Sequence, residues 1–356
     1  MKGENVMRVI RKKIYCTLLL CCSLVFLMAA CSTKKTEGGK SESNEKITLS
    51  YAFFASDNTF PAVQMKKWTE ELESRTDGKV KVNLFFGGTL LQANNMFEGV
   101  ANGTADIGLT ATTYEPKRFP LLEISDLPSG YPNSEVASQV VHDLIMEYPP
   151  EALKDFKILT AFATEPSYIQ SKEAISNLKD LAGKQLRISG GLTPVMEKLG
   201  AAPVGMSQNE VPEALETGII EGNISSREVL KDLKLAESVK YVTDYPLTIT
   251  SFVAVMNKDK WNTLPDDVKK VIEELSNEMS EFTGKYLDKH VKESIQWSED
   301  EEGLNVVSIT EQEKKKWDEL VGDMQEEAVE EAEKKGLPAK EYQKRLNELI
   351  GEYSDK

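Results

Sequence analysis

The alternation of strand and helix patterns over residues 47–110 constrains this fold more than any other feature. Residues 47–54 are apolar and aromatic, as a buried strand is; Thr59 and Pro61 then open a helix whose Met65, Trp68 and Leu72 share one face. Asp77-Gly78 marks a turn. Val80, Val82 and Leu84 alternate with Lys81 and Asn83 as a strand, residues 94–102 form a short helix, and Gly103 is placed to cap it before a strand over 106–110. This is a βαβαβ pattern, and it predicts an α/β fold with mainly parallel pairing.

A weaker echo of the unit lies further on. The run from Glu98 through Val100 and Gly103 to Asp106 matches the run from Glu213 through Leu215 and Gly218 to Glu221 in its spacing of acid, apolar residue, glycine and acid. Two unrelated helix caps explain this as well as a repeat does. A repeat would set strand ends on both sides of a cleft, where ligands of open parallel sheets bind. In the C-terminal third, Thr263 and Pro265 start a helix with Asp266 and Asp267 in its first turn. Val268, Ile272, Leu275, Met279, Phe282 and Tyr286 then step by 4, 3, 4, 3 and 4. The stripe predicts one long helix with a buried seam; a coiled coil is the rival reading, set aside because the seam carries aromatics and no regular charge ladder. Residues 304–309 read as a strand, Thr310 and Glu313 as a capping box, and Trp317, Leu320 and Met324 as the apolar side of the next helix. From Glu326 on the chain is strongly charged and reads as a solvated helical face.

The N-terminus carries a processing signal. Arg8, Arg11, Lys12 and Lys13 precede an apolar run over 14–30, and Leu27-Met28-Ala29-Ala30 presents Cys31. The arrangement resembles a bacterial lipoprotein signal, which implies cleavage before Cys31, a diacylglyceryl group on its sulfur and attachment to a bacterial membrane. An uncleaved transmembrane anchor is the other reading of 17 mostly apolar residues. Cys16, Cys21 and Cys22 fall within residues 1–30, so the chain from Cys31 on has no second thiol for a disulfide, thiolate catalysis or a cysteine metal site. Residues 1–30 carry five basic residues and one acid, and their removal takes the formal charge from −15 to −19. So acidic a body is repelled by nucleic acid. Residues 31–46 are polar with almost nothing to bury and read as a flexible tether. The remainder is long enough for two domains, yet no linker divides it, which predicts interleaved segments.

Six segments together resemble a family: Phe60-Pro61 through Trp68 to Val80, Gly103-Thr104-Ala105-Asp106, Leu181-Ala182-Gly183 through Arg187, Leu199 to Pro203, Glu213 to Gly222, and Trp261 to Val268. In this order they look like the DctP-type solute-binding proteins of TRAP (tripartite ATP-independent periplasmic) transporters. The resemblance implies a two-domain clamp like the periplasmic binding proteins, with a long helix spanning both domains and a cleft closing on an organic anion. It places domain I at 47–164 with about 250–292, and domain II at 165–249 with about 293–356. Such a protein is extracytoplasmic, needs no cofactor, and delivers its ligand to membrane subunits driven by an ion gradient.

The family's most constant ligand contact falls on Arg187, and the physics agrees: a guanidinium fork matches a carboxylate, most strongly in a dry cleft. A salt bridge to a neighbouring acid is the alternative use of such an arginine. Where many members carry Asp-Gly-Gln-Glu-Asn-Pro, this chain has Glu221-Gly222-Asn223-Ile224-Ser225-Ser226, so Ser225, with Ser226 beside it, stands in for the asparagine. A second basic contact found in some members is absent around Ser167-Tyr168-Ile169-Gln170. The remaining contact positions fall on or near Phe54, Gln92 and Thr112, and Tyr168 and Phe252 add flat surface, although ordinary core packing accounts for such aromatics too. The ligand expected is a monocarboxylate with an apolar body, for which an aromatic ring is one candidate.

Other functions find less support. A hydrolase needs a nucleophile and a base, yet His142 and His290 are the only histidines; both lie in amphipathic helical stretches, read as surface or half-buried, away from any Gly-x-Ser-x-Gly elbow. The acidic run Glu299-Asp300-Glu301-Glu302 lacks the alternation of a calcium loop and reads as a helix end. A binding protein of an ATP-driven importer is the nearest rival, and a lipoprotein acting by contact alone is a third class.

Overall fold

The computed structural model describes residues 46–355. The anchor signal, Cys31 and nearly all of the tether lie outside the described residues. The first half runs β1 (Ile47–Phe53), α1 (Phe60–Arg75), β2 (Val80–Phe85), α2 (Met96–Ala101), β3 (Ile107–Ala111), α3 (Pro120–Asp126), α4 (Ser134–Glu147) and β4 (Phe156–Ala163). There follow β5 (Tyr168–Ser171), β6 (Gln185–Ile188), β7 (Ala202–Gly205), α5 (Val211–Glu216), β8 (Gly222–Ser225), α6 (Val229–Asp232) and β9 (Tyr241–Thr243). The chain ends through β10 (Ser251–Asn257), α7 (Asp266–Glu302), β11 (Asn305–Val307), α8 (Glu311–Val321), α9 (Met324–Lys334) and α10 (Ala339–Ser354).

Two sheets result, ordered β2-β1-β3-β10-β4 and β11-β9-β5-β8-β6-β7. The chain leaves the first sheet after β4, returns to it with β10, and leaves again along α7. Pairing is parallel between β1 and its neighbours β2 and β3, and between β6 and its neighbours β7 and β8. It is antiparallel on both sides of β5 and of β10, so the sheets are mixed rather than mainly parallel. The reason is topological: β5 and β10 are the strands that enter each sheet from the other. The two glycine-ended helices are real counterparts. Gly103 and Gly218 both have φ of +74°, a left-handed turn that costs glycine nothing, and β3 and β8 follow at the same place in their sheets.

The 37-residue α7 is the long helix that the stripe announces. Its seam is buried at Val268, Ile272, Leu275 and Met279, but Phe282 and Tyr286 are only half-buried, and the buried line passes instead through Thr283, Gly284, Leu287 and Val291. A 3.5-residue repeat drifts around a 3.6-residue helix, so the stripe turns off the core face. At Gly284 a Cβ would stand 2.6 Å from the Cα of Glu135, so the glycine lets α4 pack against the α7 backbone. Asp288 accepts from the Ser134 and Glu135 N–H groups at 2.7 and 3.1 Å and caps α4 there.

The C-terminal region corrects the domain expectation. Trp317 and Val321 of α8 pack on the second sheet, but Val329, Ala332, Ala339, Tyr342, Leu346 and Leu349 join the hydrophobic core of the first. The charged tail therefore does not accompany domain II, nor is it merely a solvated face: its apolar residues recur at helical spacing and bury against α3 and α4. Met324 begins α9 rather than extending α8, because the helix is interrupted at Gly322-Asp323. His142 is buried against the Ser276 hydroxyl rather than at the surface, and His290 is partly buried on Asp232. No helix among the described residues is long and apolar enough to cross a membrane.

Candidate functional site

The carboxyl ends of β1, β3, β6 and β8 converge on a cavity holding about 580 Å³ of empty space, part of it open to solvent. It lies at the position where open α/β sheets bind ligands. Phe53, Phe54, Phe60 and Phe252 wall it from the first sheet, with Ile188, Leu192, Ile224 and Val229 opposite. Phe60 meets Phe252 edge-on at 5.7 Å, and Phe252 stacks on Phe162 at 5.5 Å, so the aromatic wall is fixed by packing. At the back, the crossing segments bond to one another, Thr164 N to Thr250 O at 3.1 Å and Ser167 N to Thr248 O at 2.6 Å.

Arg187 reaches into this cavity from β6, and only 2% of it is exposed. Its Nε donates to Met206 O at 3.0 Å, and Nη1 donates to the Gln208 side chain and, at 3.3 Å, to Asn223 Oδ1. Nη2 donates to Tyr114 OH at 3.2 Å and, weakly, to Ser189 Oγ at 3.5 Å. Every partner is a neutral oxygen. Among the described residues no carboxylate lies within ion-pairing reach, 4 Å, of the guanidinium, so its alternative use as a structural salt bridge is not what is seen. Burial without a counter-charge lowers its pKa, opposed by the Tyr114 contact and by Glu210. A buried cation so placed costs several kcal/mol unless an anion arrives.

Tyr114 links the two sides. It follows β3, meets Phe54 edge-on at 5.1 Å, and its hydroxyl accepts from Arg187 and from the Gln208 N–H at 3.0 Å. With two donors pointing at its oxygen, the phenolic proton is left to be given to a third group.

The expected site residues divide. Arg187, Phe54, Ser225 and Phe252 come together at the cavity. Gln92 does not: it is exposed, donates to Gly88 O at 2.8 Å, caps the following turn, and lines a separate outer groove beyond Tyr114. Thr112 is buried on Ser251 O at 3.3 Å, away from the cavity. Tyr168 lies under the Arg227 guanidinium, 3.8 Å from its ring centre, and Ser226 turns to Glu228. Tyr114, Gln208, Ser189, Phe60 and Glu228 were not foreseen. The repeat carried a signal for two of them, since Tyr114 and Glu228 follow the corresponding strands β3 and β8; nothing in the sequence marks Gln208.

Residues 51–332 match the DctP family, bacterial extracellular solute-binding protein, family 7. The chain belongs to this family. A TRAP periplasmic solute-binding protein from Desulfovibrio salexigens, solved as an open complex, is 42% identical; the match covers 87% of this chain and 98% of that one with a TM-score of 0.78. A marine metagenome TRAP solute-binding protein specific for aromatic acid ligands, solved with 3-hydroxybenzoate, is 28% identical over 86% of this chain and 99% of its own, with a TM-score of 0.81. The C4-dicarboxylate-binding periplasmic protein DctP of Rhodobacter capsulatus is 22% identical over 292 residues, 80% of this chain and 87% of that protein. Family members are substrate-binding receptors rather than enzymes, bind small organic acids outside the cytoplasm, and work with TRAP membrane subunits. That membership sets aside the hydrolase and the ATP-driven importer.

Proposed function

We propose that this protein captures a small monocarboxylate with an aromatic body and delivers it to a TRAP membrane transporter. The carboxylate sits on Nη2 of Arg187 and the Tyr114 hydroxyl, with Ser189 and Ser225 as neutral partners, and Phe54, Phe60 and Phe252 enclose the ring. The observation that carries this reading is a buried arginine without a counter-anion, in a cavity walled by aromatic rings. In so dry a site an arriving carboxylate makes charge-assisted bonds and relieves the cost of the lone cation. The aromatic acid bound by the marine relative agrees with this wall. A C4-dicarboxylate, named for the Rhodobacter relative, brings a second anion, and among the described residues no second cation lines the cavity. Arg227, the nearest in sequence to the wall residue Glu228, is held by Glu165 at 2.8 Å.

On the same reading Cys31 carries the lipid anchor, and residues 31–46 tether the receptor to the membrane. Calorimetric titration with matched aromatic monocarboxylates and C4-dicarboxylates tests the ligand class. The aromatic acids should bind and the dicarboxylates should not; tightest binding of a dicarboxylate or a neutral sugar would overturn the assignment.

A further inference from the structure

Among the described residues that line the cavity only Arg187, Tyr114 and Glu228 can ionise, and Glu228 is still without a task. It lies between β8 and α6, 2% exposed, with its Oε2 bonded to the Ser226 hydroxyl. Among the described residues no cation is within ion-pairing reach of it. The neighbouring Arg227 turns away to Glu165, donating at 2.9 and 2.8 Å, and stacks on Tyr168.

The elements packed around Glu228 bring acids rather than bases. Asp232 stands one turn on in α6, itself bonded to His290 Nε2 of α7 at 2.7 Å; Glu165 is already neutralised by Arg227; α7 adds the Tyr286 phenol; and the start of α1 contributes Thr59, Phe60 and Pro61. Burial first, with Asp232 and Glu165, pushes the carboxyl up to about 8 against the opposing bonds from the Ser226 hydroxyl and its own backbone N–H. It is therefore a neutral acid through neutral pH, able both to donate and to accept. Such a neutral carboxyl at an apolar wall keeps an O–H that a group entering the cavity can accept from.

We propose that Glu228 is the second recognition group of this cleft and binds a hydroxyl carried on the aromatic body of the ligand. The inference rests on the aromatic monocarboxylate reading above. Glu228 and Arg187 share no hydrogen-bonding partner and no bond joins them, so they offer a ligand two separate contact points on one cavity. A hydroxyl matches a neutral carboxyl without any change of charge in the closed cleft. An ammonium group needs Glu228 to ionise first, and a second carboxylate finds no cation there.

The experiment is calorimetric titration of the receptor and of its Glu228→Gln, Glu228→Leu and Arg187→Ala variants with phenylacetate and its three ring-hydroxylated isomers. One isomer should bind the unaltered receptor about 5- to 10-fold tighter than phenylacetate. That ratio should fall to about one in Glu228→Leu and survive in part in Glu228→Gln, whose amide still donates and accepts. If phenylacetate binding depends on Arg187 but no isomer is preferred, or the preference survives Glu228→Leu, the role of Glu228 is overturned while the carboxylate site stands. The isomer preference is read on the unaltered receptor, so a misfolded Glu228→Leu does not rescue the proposal. A ring bearing an aminomethyl group binding tightest would equally overturn the hydroxyl assignment. If phenylacetate does not bind, or binds Arg187→Ala as well as the unaltered receptor, the underlying reading falls and this one with it.

Discussion

Replacing Arg187 with methionine separates a ligand-binding arginine from a structural one. Of its five N–H groups, those on Nε and Nη1 are directed at Met206 O, Gln208 and Asn223, whereas the Nη2 edge meets only two hydroxyls at 3.2 and 3.5 Å. Hydroxyls rotate, so the Nη2 edge and the Tyr114 proton can both turn to an incoming carboxylate. Two charge-assisted bonds at about 1.5–3 kcal/mol each come to about 3–6 kcal/mol. At about 1.4 kcal/mol per decade, Arg187→Met should weaken binding of an aromatic monocarboxylate by on the order of 100- to 10,000-fold. Arg187→Lys should recover only part, because a point charge does not reproduce the fork. The ligand-free protein should behave differently. Breaking a buried ion pair costs about 3–5 kcal/mol, but here no carboxylate is left stranded and an unpaired charge is removed, so stability should fall by clearly less. Calorimetry measures the first effect and urea denaturation without ligand the second. A dissociation constant within about 3-fold of wild type would refute the reasoning, as would a ligand-free destabilisation of about 3–5 kcal/mol.

Tyr114→Phe removes the hydroxyl that bridges Arg187 and the Gln208 N–H, and should weaken carboxylate binding by roughly 10- to 100-fold, read by the same titration; an unchanged affinity would place the phenolic proton away from the ligand. Asp126 is buried with Oδ1 on Ser251 and Oδ2 without a partner, and burial raises its pKa to about 8. The folded state therefore holds a proton that the unfolded chain releases near pH 4, and stability falls as pH rises from about 4 to about 8, by on the order of a few kcal/mol. In Asp126→Asn urea denaturation should show that slope reduced; an unchanged slope would contradict it. Cys31→Ser should abolish lipid attachment, which mass spectrometry of the mature N-terminus reads; an unmodified chain beginning elsewhere, or one retaining residues 14–30, would exclude the anchor.

Elements with a strong local period were legible in the sequence. The strands at 47–53 and 80–85, the helix carrying Met65, Trp68 and Leu72, and the start of α7 all follow from the spacing of apolar residues. Tertiary context decided the rest. The tail looked solvated because its composition is charged, but a helix needs only one apolar stripe to dock, and Tyr342, Leu346 and Leu349 supply it. Arg187 stands at the cavity, where the family resemblance puts it, while Gln92 and Thr112 lie away from it, because homologous contact positions do not fix where a polar side chain turns. Gln92 found Gly88 O and Thr112 found Ser251 O, local partners that no sequence pattern displays.

The repeat suggested by Gly103 and Gly218 explains why the unforeseen residues lie where they do. Read from one edge, the first sheet is β2-β1-β3-β10-β4 and the second is β7-β6-β8-β5-β9, with β11 added at the far edge. Their first three strands are parallel and their fourth is antiparallel in both. Phe54 after β1 thus corresponds to Ser189 after β6, and Tyr114 after β3 to Glu228 after β8. Each pair faces the same cavity from opposite walls. Since the fourth strand of each sheet is reached by crossing from the other, the crossings at Thr164 and Thr250 form the back of the cavity, the place about which the proposed clamp would hinge. The bond from Arg187 and the Gln208 N–H to Tyr114 spans those walls directly. On the proposed function, a ligand carboxylate that engages Arg187 and Tyr114 together needs both walls, so the contact that recognises the anion would also favour closure.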